Sequence, residues 1–197
     1  YWKQPTNKHQ QKRQMAVIKN NFKINTYGKY SKNFFYEISS APFLNFLDNL
    51  SSISGLVADP YLAGAGFHNT LSGGFLDIHA DFSRHDYLKL ERRLNFLLYL
   101  NKGWKKEYEG CIEFYDRNLK CTKRIEPLAK RLVIFETSNY SYHGFEKPIK
   151  CPKNMSRKAL TAYYYSRSRP KSTGTKMHKD IYPKDPKFSV KYDSVPN

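Results

Sequence analysis

The chain has 197 residues, 40% of them hydrophobic and 16% aromatic, which excludes a disordered or fibrous protein and fits one domain with tails. Its net charge of +17 sits mostly at the ends: residues 1–33 hold eight Lys/Arg and no acid, and residues 166–197 hold eight Lys/Arg and three Asp. No apolar run is long enough for a membrane helix, there is no secretory leader pattern, and Cys111, Cys121 and Cys151 lack metal-knuckle spacing, so the default expectation is a reducing, cytoplasmic setting without disulfides.

Residues 1–33 are rich in Lys, Gln and Asn, with one apolar patch, Met15-Ala16-Val17-Ile18. They read as a basic N-terminal arm carrying at most one short helix or strand. A stretch of this kind is either a solvated tail or an attraction for nucleic acid or another acidic partner. Pro42 to Leu50 reads as a helix: Ser40 is placed to cap it, Pro42 suits the first turn, and Phe43, Phe46, Leu47 and Leu50 form an apolar stripe. From Leu56 the texture changes to short apolar runs between Gly, Pro and Asn: 63–69, 74–79, 94–100, 111–115, 131–136 and 158–165. Such turn-bounded strands predict a mainly β domain with flanking helices, a sandwich, barrel or jelly roll, over residues 34–170. Periodicity leaves one run open, because Leu90, Leu94, Leu97 and Leu98 fit a helix as well as Leu94, Phe96, Leu98 and Leu100 fit a strand. Residues 171–197 are Pro- and Lys-rich and read as a loosely attached, dispensable basic extension.

The chemistry centres on His79-Ala80-Asp81. Residues two apart on a strand point to one face, so an imidazole and a carboxylate can reach one metal ion of intermediate hardness. His143 follows 64 residues later, after an apolar run and a polar turn, and Arg157 opens the strand-like Arg157–Tyr165 run 14 residues beyond that. Together with Tyr99-Leu100-Asn101-Lys102-Gly103-Trp104 and the Glu109-Gly110 turn, this order resembles the iron(II)/2-oxoglutarate-dependent dioxygenases, and within them the prolyl-4-hydroxylase-like branch. The resemblance runs from about Ala63 to Tyr165.

That resemblance implies a double-stranded β-helix (jelly roll) and makes the ambiguous leucine run a strand. It implies that His79, Asp81 and His143 bind Fe(II), with 2-oxoglutarate and O2 as co-substrates and ascorbate in support. Arg157 would pair with the distal carboxylate of 2-oxoglutarate, with Tyr99 and Thr161 hydrogen-bonding beside it, Ile112 as an apolar wall, and Asn95 on the same pocket-lining face. Two departures stand out: Asn69, beside His68, replaces a co-substrate-contacting tyrosine of the animal oxygen-sensing relatives, and Lys153 is a rival anion binder in a longer segment before Arg157. The implied reaction is hydroxylation of an unactivated C–H bond, with a prolyl residue of a protein or peptide as leading substrate. Another side chain, a sugar or a small metabolite is the alternative, as is a silent jelly-roll module binding nucleic acid or another acidic partner. His68, His85 and His178 read as surface or supporting histidines, Trp104 as a loop anchor, and Tyr163–Tyr165 as sheet packing.

Overall fold

The computed structural model describes residues 17–19, 27–170 and 177–184. Two helices, α1 (Lys29–Ile38) and α2 (Ala41–Ser51), precede most of the strands. The strands are β1 (Val17–Lys19), β2 (Val57–Ala58), β3 (Gly66–Thr70), β4 (Leu76–His79), β5 (Glu91–Tyr99), β6 (Ile112–Tyr115), β7 (Cys121–Ile125), β8 (Leu132–Glu136), β9 (Tyr142–Phe145) and β10 (Arg157–Ser166). They form two antiparallel sheets: β1-β3-β10-β5-β8, with β2 also on β10, and β4-β9-β6-β7. Among the described residues this is a double-stranded β-helix with two flanking helices.

Strand parity divides the larger sheet into two chemically different faces. On β5, Leu94 and Phe96 turn outward into a cluster with Leu160, Ala162 and Tyr164 of β10 and with Phe35, Ile38 and Leu47 of the helices. The alternate residues turn inward: Tyr99 and Leu97 of β5, Ala159 of β10 and Val133 of β8 meet Ile112 and Phe114 of the smaller sheet. A one-residue slip of β5 would exchange the two sets, so the aromatic cover of the helices pins the register that aims Asn95, Leu97 and Tyr99 at the interior. The nine-residue leucine-rich run is therefore a strand.

The predicted helix forms, but its stripe is rotated. Leu47 is fully buried, Phe43 and Leu44 are partly buried, and Phe46 and Leu50 are 49% and 58% exposed. Pro42 lies in the first turn, while the Ser40 hydroxyl donates to Glu37 O at 2.7 Å rather than capping its own helix. The end is closed by Asp48, whose carboxylate accepts Gly55 N at 2.8 Å and Leu56 N at 3.1 Å. Helix α1, within and beyond the span read as an arm, has no counterpart among the predicted elements; Phe35 and Ile38 are buried and Phe34 packs beside them, an apolar stripe confined to its second half. Strands β7 and β9 were not among the predicted runs either. Four of the five residues of β7 are exposed, and β9 carries His143 and Gly144 in place of an apolar alternation.

The stretch read as a loose extension is not loose over its described part. Ala80 and Ile181 exchange backbone hydrogen bonds at 2.8 and 2.9 Å, Ser83 N donates to His178 O at 3.0 Å, and Ile181 and His178 are buried. Residues 178–181 thus run as a short antiparallel segment on the free edge of β4, and Lys184 pairs with Glu146 at 2.7 Å.

Candidate metal and co-substrate site

The two sheets hold the site between them. His79 ends β4 and His143 lies on β9, and the two residues face each other in the ladder. Asp81 follows two residues after His79, beyond the strand end, with its carboxylate turned to both imidazoles: His79 Nε2 to Asp81 Oδ1 is 3.5 Å and His143 Nε2 to Asp81 Oδ2 is 3.4 Å. One donor atom from each of the three lies within 4.8 Å of the others.

Each imidazole is oriented from behind. His79 Nδ1 lies 2.8 Å from Asp77 O and His143 Nδ1 2.9 Å from Ser141 O. A proton on Nδ1 serves these carbonyls and leaves the Nε2 lone pairs converging on one point, the tautomer a metal requires. Burial pushes the His143 imidazole down to about 4, so it is neutral and able to ligate. Burial also disfavours charge on His79, but its hydrogen bond to Asp81 outweighs this and raises it. Asp81 is desolvated too, yet Arg92 and the two imidazoles hold its carboxyl well below the ordinary range. Two imidazoles and one carboxylate, preorganised on one side of a cavity, suit a divalent first-row ion, whose binding would displace any proton from His79 Nε2.

Asp81 is held by two residues of β5. Asn95 Nδ2 donates to Oδ2 at 2.6 Å, and Arg92 Nη2 lies 3.1 Å from the same oxygen. Asn95 is therefore placed against a ligand carboxylate. Across the ligands runs a row of rings: Tyr182 stacks on His79 at 5.8 Å, His79 lies 4.6 Å from His143, and Phe135 meets His143 edge-on at 4.8 Å. Tyr182 and Asp180 reach this face because Ile181 pairs with Ala80, which sets their neighbours beside His79 and Asp81.

Beyond the ligands a cavity of about 70 Å³ runs between the sheets, lined among others by His68, Leu97, Ile112, Arg157 and Thr161. Arg157 is buried, donating from Nε to Gly110 O at 2.7 Å and from Nη2 to the Tyr99 hydroxyl at 3.2 Å, with its guanidinium 4.3 Å over the Phe145 ring. Gly110 is required here: its φ is +76°, and a Cβ would come within 3.1 Å of Arg157 Cδ. Lys153, the rival cation, is exposed. Ile112 is 1% exposed and forms the apolar wall of the cavity. Thr161 lies on the cavity face, but its hydroxyl donates to Gly66 O at 3.3 Å and sits 3.2 Å from His68 Nε2.

Three contributors escaped the sequence. His68 lines the cavity, and not its neighbour Asn69; the parity of β3, with His68 and Thr70 on one face, carries that signal. Arg92, which the sequence offers with Arg93 as either an ordinary strand or loop cation or one facing substrate, is turned instead to Asp81, and the 180–182 segment left no local trace, because these roles arise from contacts between distant parts of the chain. His85 and His178 are buried supports: His85 Nε2 is 3.3 Å from Asp59 Oδ2, and His178 Nε2 is 2.8 Å from Asn139 Oδ1. Trp104 anchors its loop by donating to Glu109 O at 2.9 Å. Tyr164 and Tyr165 pack in the core, whereas Tyr163 also lines the cavity. A larger hollow of about 650 Å³ adjoins the site between Tyr61, Phe82, Tyr87, Met177 and Asp180. No helix among the described residues is long and apolar enough to cross a membrane.

Residues 65–165 match a family described as the 2OG-Fe(II) oxygenase superfamily. No curated protein matches the chain. Among solved structures the chain is similar to a Pseudomonas putida prolyl-4-hydroxylase, at 15% identity and a TM-score of 0.49 over 76% of this chain and 67% of that one. It is similar to a Trichoplax adhaerens prolyl hydroxylase in complex with a hypoxia inducible factor oxygen degradation domain peptide fragment, at 21% identity and 0.44 over 63% and 55%. A third likeness is to prolyl 4-hydroxylases from Phytophthora capsici, at 18% identity and 0.46 over 68% and 42%. The chain thus spans between about two fifths and two thirds of the length of these structures.

Proposed function

Because the chain belongs to the 2OG-Fe(II) oxygenase superfamily, whose chemistry uses iron(II), 2-oxoglutarate and O2, we propose that it hydroxylates a prolyl residue in a polypeptide. His79, Asp81 and His143 hold the iron in this reading, and Arg157 receives the distal carboxylate of 2-oxoglutarate. The observation that carries the reading is the pairing of two features in one enclosed space: three convergent donor atoms, and at the other end of the cavity a buried guanidinium braced by Gly110 and Tyr99.

Iron supplies the oxidative chemistry when bound; the chain's own residues bind, orient and exclude water. The Nδ1 contacts of both histidines keep Nε2 available, and Asn95 fixes the Asp81 carboxylate. A dicarboxylate entering a cavity walled by Ile112 and Leu97 loses hydration that only a fixed, directional cation restores, and Arg157 Nη1 and Nη2 offer the bidentate geometry. In balance, 2-oxoglutarate, O2 and a substrate C–H give succinate, CO2 and a C–OH. Two of the four electrons taken by O2 come from the 2-oxo acid and two from the C–H bond.

The polypeptide substrate is argued from the larger hollow. Tyr61 and Tyr87, 56% and 73% exposed, stand on its rim with rings 5.1 Å apart, and Phe82 and Met177 line it. Aromatic-lined grooves of this kind suit extended proline-containing segments. The test is to incubate candidate proline-containing peptides with the protein, Fe(II), 2-oxoglutarate and air. A gain of one oxygen atom on proline in the mass spectrum supports the reading. Hydroxylation only of other residues, with 2-oxoglutarate consumed, would replace the substrate while leaving the enzyme class.

A further inference from the structure

Arg92, the second residue of β5, is 1% exposed, among the most deeply buried large side chains described. Its guanidinium is layered between two rings, 3.5 Å over Tyr163 and 4.4 Å over Phe82. Its edge is fixed as well: Nε donates to Asn95 Oδ1 at 2.9 Å, and Nη2 lies 3.1 Å from Asp81 Oδ2. Nη1 and Nη2 are both buried with no hydrogen-bond partner among the described residues, so the Asp81 contact is an ion pair. A cation held on both faces and one edge has no second position to adopt. Its close anionic partner is Asp81, a residue that must also serve the metal, with Asp180 as the further carboxylate in the neighbourhood.

Resting on the reading of His79, Asp81 and His143 as the metal site, we propose that Arg92 is a resident competitor for Asp81: a positioning residue whose fixed charge keeps metal affinity below what the three ligands alone would give. Asn95 Nδ2 donates to Asp81 Oδ2 and Arg92 Nη2 pairs with the same oxygen, while His143 Nε2 lies 3.4 Å from Oδ2 and His79 Nε2 3.5 Å from Oδ1, so the cation and the metal ligands meet on one carboxylate. In the metal-free protein Arg92 neutralises a carboxylate that would otherwise be buried and unpaired. Metal binding must then share that carboxylate with a second cation that cannot withdraw. The result would be a metal that exchanges more readily.

The sign of the effect separates this role from a structural one. If Arg92 only braced Asp81, losing it would weaken metal binding; if it competes, losing its charge leaves an uncompensated carboxylate that the metal relieves, and binding tightens. Metal-stripped full-length protein is titrated with Mn(II) and with Co(II) by calorimetry, alongside Arg92→Met, which keeps a long apolar stem between the rings, and Arg92→Gln, which keeps hydrogen-bonding capacity without charge. Both neutral variants should bind metal about tenfold tighter or more, opposite in sign to the loss that removing a supporting group behind a metal ligand brings. Their Co(II) absorption should shift as Asp81 loses its competing cation. Arg92→Lys, which keeps the charge, should stay close to wild type. Equal or weaker binding by whichever neutral variant folds, as judged by near-UV circular dichroism, overturns the proposal. Wild-type protein that binds neither ion overturns instead the reading of the metal site.

Discussion

Arg157 is the side chain on which co-substrate binding should depend most. It is buried, and among the described residues it donates to a carbonyl and a hydroxyl, so its charge awaits an anion. Arg157→Ala should raise the 2-oxoglutarate requirement by about 3 kcal/mol, over a hundredfold, the size of breaking a buried charge pair. Tyr99→Phe keeps the ring and removes one hydrogen bond, costing about 1 kcal/mol. Lys153→Ala should change nothing, and a loss of binding there with Arg157→Ala unaffected would reverse the assignment. These values come from anaerobic titration of the Mn(II)-loaded protein with 2-oxoglutarate. At this level the sequence was readable wherever roles follow from strand parity: His79 with Asp81, and Arg157 with Thr161, each share a face. It was unreadable where a role is made by contact between sheets. Asn95 reaches Asp81 across 14 residues, and nothing near Arg92 in the sequence distinguishes it from Arg93, which instead meets Glu136 at 3.1 Å. Only the meeting of Phe82 and Tyr163 around one guanidinium separates them.

Helix α2 and the 177–184 segment show opposite failures of local pattern. The helix was legible in extent, through Pro42 and the apolar spacing, but which side faces the sheet is decided by Phe96 and Tyr164, which Phe43 meets at 6.0 and 6.2 Å. Leu47→Ala should therefore cost about 2–5 kcal/mol as a cavity in the core, while Leu50→Ala, on the exposed side, should stay within about 0.5 kcal/mol. Urea unfolding of both variants checks the rotation, and equal losses would mean that the stripe predicted from sequence is the buried one after all. The 177–184 segment offered only Pro and Lys to the eye, and composition argued against order. Its attachment comes from pairing across about 100 residues, Ile181 to Ala80, which no local window contains. Ending the chain at Pro170 removes Ile181 from beneath β4 and Tyr182 from His79. The truncated chain should melt at lower temperature and bind Mn(II) about tenfold more weakly, in line with losing groups that orient a ligand. Tyr182→Ala alone should reproduce part of the loss in affinity with little loss of stability, and undiminished affinity in both would make the segment a bystander.

The molecule divides its labour by layer. Helices α1 and α2 cover the outer face of the larger sheet and close the main hydrophobic cluster over it, so the inner faces are free to carry two imidazoles, a carboxylate and two buried arginines without being the main source of stability. Those polar groups are costly in the metal-free state, and a metal that binds only the folded chain should stabilise it by about 2.7 kcal/mol at a hundred times its dissociation constant. Melting curves with Mn(II) and after chelator treatment should differ accordingly, and coincident curves would show that the three donors bind nothing. The most direct measurement is succinate formed from 2-oxoglutarate by purified protein with Fe(II) under air, wild type beside His143→Ala, with an anaerobic control. Succinate should accumulate with wild type only when iron and O2 are both present, and His143→Ala, folded by circular dichroism, should form none. Wild type that binds iron yet forms no succinate, or His143→Ala that forms as much, would contradict the assignment of this cavity as an iron(II) and 2-oxoglutarate oxygenase site.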